Sequence, residues 1–502
     1  MTESRVGGTI VVTPNGNRWV GPGHNAIVTD LAGQDWFAYH AIDRNDPFLD
    51  EPYGINERPM LLDRLDWING WPTVRSGYWA SEEQQVGPVT TPIVGDSFNS
   101  GTSLGKAWNQ DGAWRLVRSD EDARGFARQQ ANACNKPRLM IAGGSLPADV
   151  RVEADIRLPD GSSGGVVVRY RDDANYAVAR LDSRTRSVVV EVVVNGVRTQ
   201  AASQALPADF PFGVWHNVAV EVRGTAMTVE VTDARLNDPY AVVKVTLPTA
   251  LSSGGAGVEA TCSRVDADNF SAAELYRPRT AKAPVPTRGT LTYSDGFNDG
   301  TLGGPGWTWL RGPAPGATES GGMLRWPVED TDLVGGGNNA SILYRQDPEG
   351  TYIAQTKCTI DLGVDIIRNY QQCGMIAYVN DDLWLRLSHV AIWNTRQTEF
   401  GKEQPFADRL SFGGMLIGPP ADTTWLRLAH RLDPENGEHE FRAATSRDGE
   451  RWIWGGVWTL PAGTDVKIGL ISHGRQTGER ATSQFDYFRV YTGGTWGNWP
   501  GE

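Results

Sequence analysis

The chain is 502 residues long and carries a formal net charge of -13 at pH 7. So acidic a composition excludes nucleic acid and anionic membranes as partners, since both are bound through basic faces. With 58 Gly, 29 Pro and 19 Trp and no long apolar run at helical spacing, the residues predict an all-β protein, rich in turns and divided into about three domains.

In chain order, Met1 to Val12 show no charged region followed by an apolar segment, so neither a secretory signal nor a membrane helix is expected there. Gly21-Pro22-Gly23 reads as a tight turn holding His24 at a strand mouth, because glycine takes positive φ freely and proline presets its own. Taken by itself, a histidine so placed is an ordinary hydrogen-bonding residue. Asp35-Trp36-Phe37-Ala38-Tyr39-His40 follows as an apolar strand on which His40 reads as a packed core residue. Arg58-Pro59-Met60-Leu61-Leu62 and Leu65-Asp66-Trp67-Ile68-Asn69-Gly70-Trp71-Pro72 come next.

These four motifs, in this order, resemble the closing blade of the five-bladed propeller of glycoside hydrolase family 43, the arabinanases and xylosidases. The resemblance implies that residues 1–80 form that last blade and that His24 lies near the propeller axis as a direct or water-mediated ligand of calcium. It also implies work outside the cell, with any export signal upstream. Family members invert at the anomeric carbon with two carboxylates about 6.5 to 9.5 Å apart. Those carboxylates come from earlier blades. No catalytic residue is therefore assigned, and an incomplete β-propeller blade with bare apolar sheet faces is expected.

A linker at 81–92 leads into a repeat, in which Asp96-Ser97-Phe98-Asn99-Ser100-Gly101-Thr102 precedes Trp108 and Asp295-Gly296-Phe297-Asn298-Asp299-Gly300-Thr301 precedes Trp307 at the same offset. Asp268-Asn269-Phe270 and Asp486-Tyr487-Phe488 close the two units, so first and last strands are expected to pair. Period-two alternation in 149–158, 215–222 and 383–387 predicts strands with one buried face. The two units, 93–277 and 290–492, separated by a Pro-rich linker at 278–289 and followed by a tail at 493–502, therefore read as two antiparallel β-sandwich domains. Both resemble concanavalin A-like (laminin G-like) jelly rolls. The second, through Gly306-Trp307-Thr308-Trp309-Leu310-Arg311, Gln372 to Tyr378 and Ser446 to Trp452, is similar to the carboxy-terminal domain of family 43 xylosidases.

Glu153 and Asp155 share a strand face as in jelly-roll glucanases, but Leu158 stands where a third carboxylate is needed, so the pair reads as the wet face of a strand. Exposed indoles could stack on sugar rings, and Trp393 and Trp454 are the candidate carbohydrate-binding residues. Trp452, Trp454 and Trp458 have one parity and share a face if the segment stays extended, with Trp452 reading as core. Asp96, Asp268, Asp295 and Asp486 fit turn roles better than calcium sites. Cys134 with Cys262, and Cys358 with Cys373, are open to two readings, disulfides or buried thiols.

The expected protein is the C-terminal portion of a family 43-type hydrolase acting on arabinose- or xylose-containing polysaccharide and inactive alone. Two alternatives stand beside it. One is a lectin-like protein that binds polysaccharide or oligosaccharide without cleaving it. The other is a structural module that completes a propeller from a partner chain.

Overall fold

The computed structural model describes residues 10–497 apart from 15–17, 50–53, 78, 83, 112, 119–124, 131–135, 234–237, 263, 407 and 475–478. The chain is all-β, with 55% of residues in strands. Among the described residues no helix is long and apolar enough to cross a membrane. The chain forms two compact units. Unit 1 gathers 1–26, 37–84 and 279–502; unit 2 gathers 27–36 and 85–278.

The N-terminal strands β1 (Trp19–Thr29), β2 (Asp35–Asp43), β3 (Met60–Ile68) and β4 (Trp71–Val74) form one sheet in sequential order, the meander of a propeller blade. Its core gathers Trp19, Phe37, Tyr39, Ala41, Leu61, Leu65 and Val74. Asp63, fully buried, accepts a 2.6 Å hydrogen bond from the Tyr39 hydroxyl and one from the Ser81 amide. Gly21-Pro22-Gly23 lies inside β1 rather than in a turn. Positive φ falls on Gly21 (60°) and on His24 (53°), so the strand is kinked at both ends of the motif and His24 sits mid-strand. The hairpin turns at 30–34 instead, where the Asp30 carboxylate accepts from the amides of Ala32 and Gln34 and from the Trp36 indole.

Each sandwich is an eight-stranded sheet against a seven-stranded one. In unit 2 the alternation in Val150–Arg157 is realised residue by residue, buried then half-buried. Glu153 and Asp155 lie on its wetter side, taking hydrogen bonds from Arg151 and from Asn217 and Asn269. The repeat has a physical cause. Asp96 accepts from the Phe98 amide (2.7 Å) and the Trp108 indole (2.8 Å), and Asp295 accepts from the Phe297 amide and the Trp307 indole (both 2.8 Å). Phe270 pairs with Asp96 across the first and last strands, and Phe488 pairs with Asp295 likewise. Each phenyl ring meets its tryptophan edge-on at 5.0 Å. Asp268 and Asp486 serve the Asn269 amide and the Lys357 ammonium.

Within unit 1 the blade segment joins the carboxy-terminal sandwich, although residues 85–278 separate them in sequence. Arg44 forms a bidentate ion pair with Glu438 and donates to the Thr459 hydroxyl, and Phe48 meets Phe406 at 5.5 Å. At Gly456 a Cβ would stand 2.8 Å from the Pro14 ring, so only glycine admits this approach. Cys358 and Cys373 form a disulfide. It joins Tyr352–Thr359 in one sheet to Gln372–Asn380 in the other. Cys262 is buried, and Cys134 lies outside the described residues.

Candidate functional site

Strand Thr395–Phe406 of the second sandwich alternates with Thr398, Phe400, Lys402, Gln404 and Phe406 on one side. Phe400 fills the core between the sheets; Lys402, one step outward, enters a cavity of about 710 Å³ within unit 1. Phe48, Phe406, Phe412 and Trp458 supply aromatic walls, while Asn56, Gln404 and Ser411 supply amides and a hydroxyl. Trp458 is held by its indole, which donates 2.9 Å to the Phe400 carbonyl. Lys402 is 8% exposed, and its ammonium makes no hydrogen bond or ion pair with the side chain of a described residue. Burial, with Arg44 adding to it and Glu438 opposing, pulls its ammonium down to about 7. None of the described lining residues is Asp or Glu.

The blade carries the second group. His24 is exposed, and its ring meets that of His40 edge-on at 5.5 Å. His40, read from sequence as a core residue, is half-buried; burial, then Arg58 and His24, hold its ring below the usual imidazole range. Calcium wants about six to eight oxygens. Among the described residues His24 belongs to no cluster of three His, Cys, Asp or Glu ligands. This chain's own described residues therefore do not fit a calcium shell at His24.

Trp393 and Trp454 occupy different environments. Trp393 is 80% exposed and forms, with Asn394, the two-residue turn between Leu383–Ile392 and Thr395–Phe406, both residues at positive φ (52° and 61°). Asn369 fixes the turn by exchanging 2.8 and 2.9 Å hydrogen bonds with Asn394, and Tyr370 lies 6.5 Å from the indole. Beside it a hollow of about 570 Å³ is lined by Val364, Ile367, Arg396 and Pro420. A bulky side chain at positive φ is a strained arrangement of the kind that marks binding loops. Trp454 is half-buried among Trp79, Ile353, Val457 and Trp496, with the Arg442 guanidinium 5.7 Å from its ring. Trp454 and Trp458 do not share a face, because the register slips between Arg442 and Ala444 opposite Gly455-Gly456. Trp452 precedes the strand and stacks under Arg427 at 3.5 Å instead of filling the core.

Sequence reasoning missed Lys402, because a lone lysine in a strand carries no signal of its own; its flanking alternation with Phe400 and Phe406 was the cue available. No family profile matches the chain, and no curated protein does. Among solved structures, the GH43 protein BlXynB from Bacillus licheniformis is similar at 14% identity over 95% of this chain and 87% of its own, with a TM-score of 0.32. A xylan β-1,4-xylosidase from Bacillus halodurans C-125 is similar at 12% identity over 96% and 89%, TM-score 0.31. The carbohydrate-binding module CBM66 from Bacillus subtilis is similar at 18% identity over 33% of this chain and 95% of its own, TM-score 0.28. Similarity at this level assigns no function.

Proposed function

We propose that this chain is a polysaccharide-recognising portion of a family 43-type glycoside hydrolase acting on arabinose- or xylose-containing polymers, and that by itself it binds without cleaving. The observation that carries the reading is the cavity at Lys402. Its rings suit the apolar faces of sugars and its amides and ammonium suit their hydroxyls. Glycosidic cleavage needs a pair of carboxylates, and the described lining holds none. In this reading His24 faces a calcium ion held mainly by residues of other blades, Trp393 adds a surface stacking platform, and Trp454 plays a packing part. The disulfide supports work outside the cell. Calorimetric titration with arabino- and xylo-oligosaccharides, beside a reducing-sugar assay on arabinan and xylan, tests both halves. Binding without product is expected. Release of arabinose or xylose by the purified chain would overturn the inactivity, and absence of binding would overturn the recognition.

A second reading, a partner chain that brings the remaining blades, is favoured by the blade's exposed apolar residues: Met60 and Trp71 are 77% and 51% exposed. Co-purification of a propeller fragment with the tagged chain from its source would support it; a strictly solitary chain there would not.

A further inference from the structure

We propose that Asp347, His430 and His439 form a binding site for a zinc-class divalent cation in the second sandwich. Asp347 follows the strand Ile342–Gln346, and the two histidines stand on the hairpin of Thr423–Leu432 and His439–Ser446. One ligand atom from each of the three lies within 4.8 Å of the others.

The hydrogen bonds decide which atoms are available. His430 Nδ1 lies 2.7 Å from the Gly350 carbonyl, which can only accept, so Nδ1 carries the proton. With that proton on Nδ1, Nε2 of the neutral ring carries the lone pair. That lone pair faces His439 Nδ1 at 3.0 Å. The other nitrogen of the His439 ring has the Thr464 backbone as its hydrogen-bond partner. When His439 carries its proton on the nitrogen facing the Thr464 backbone, its Nδ1 is a lone pair as well, and two imidazole lone pairs converge on one point. The third group is Asp347, whose half-buried carboxylate also neighbours the Tyr352 hydroxyl. Two backbone acceptors that orient two imidazoles toward a carboxylate reproduce the outer shell of His-rich metal sites. Two nitrogens and one oxygen suit zinc and its neighbours, whereas calcium and magnesium take oxygens. Since Asp347 is half-buried, a further position remains for water.

The test titrates the full chain with Co²⁺, then with Zn²⁺, Ca²⁺ and Mg²⁺. One equivalent of Co²⁺ should give visible d–d absorption that Zn²⁺ abolishes and Ca²⁺ and Mg²⁺ leave in place. Asp347→Asn and His439→Gln should each weaken Zn²⁺ binding roughly tenfold to a hundredfold. Circular dichroism establishes that the variants are folded. No Co²⁺ absorption by the folded chain, or Zn²⁺ affinity unmoved in folded Asp347→Asn and His439→Gln, would overturn the assignment.

Discussion

The Asp295 carboxylate ties a turn to a core ring: one oxygen accepts the Phe297 amide and the other accepts the Trp307 indole, each at 2.8 Å. Trp307 is 8% exposed, so removing its acceptor leaves a buried N–H unsatisfied. Asp295→Ala should cost about 1–3 kcal/mol in chemical denaturation of unit 1, and Asp295→Asn, which keeps an acceptor, should cost less. Asp96→Ala should act alike on unit 2, through Trp108. Equal midpoints for Asp295→Ala and the parent chain would show the bond to be idle.

Lys402 gives unit 1 a pH dependence of definite sign. Its folded ammonium titrates near 7 instead of 10.5 because it is buried, so between those values the unfolded chain binds more protons than the folded one. Stability from this group therefore rises as pH increases from about 7 to about 10.5, and is flat below 7. Lys402→Met should raise the denaturation midpoint at pH 7 and remove that part of the slope. A variant with the parent's slope would place the proton uptake elsewhere.

Trp393 has little packing to lose. Trp393→Ala should leave stability within about 0.5 kcal/mol while slowing migration less than the parent does in affinity electrophoresis through xylan or arabinan. Unchanged retardation in both gels would remove this indole from the recognition surface.

The Cys358–Cys373 link closes a separation of 15 residues and joins the two sheets of one sandwich. Loss of such a cross-link costs about 3 kcal/mol in the chain-entropy picture. Cys358→Ala with Cys373→Ala should lower the unfolding midpoint of unit 1 and leave that of unit 2 in place, resolved by differential scanning calorimetry with and without reductant.

Some of the architecture was legible in the residues because its causes are local. Alternation in Val150–Arg157 survives folding since one strand face meets the opposite sheet. The Asp-to-Trp spacing was readable because a carboxylate that closes a turn can reach an indole only at a set distance along the chain. Other readings failed where backbone detail intervened. Extrapolated parity put Trp454 and Trp458 together, and the slip opposite Gly455-Gly456 separates them. Asp266 shows a similar blind spot: Arg128, Arg157 and Arg264, far apart in the sequence from one another or from it, all donate to its buried carboxylate. Burial alone would raise this carboxyl, and the three guanidinium groups overcome it and hold it low.

By itself the sequence determined strand character, the Asp-closed turn that opens each sandwich and the duplication of that sandwich, all of which depend on residues a few positions apart. Tertiary structure alone decided that the blade shares a unit with the carboxy-terminal sandwich, that Lys402 faces a cavity, and that Asp347 meets His430 and His439. Each of those depends on which distant segments exclude water from one another, and desolvation, which sets the charge state of a buried lysine or imidazole, exists only once they have met.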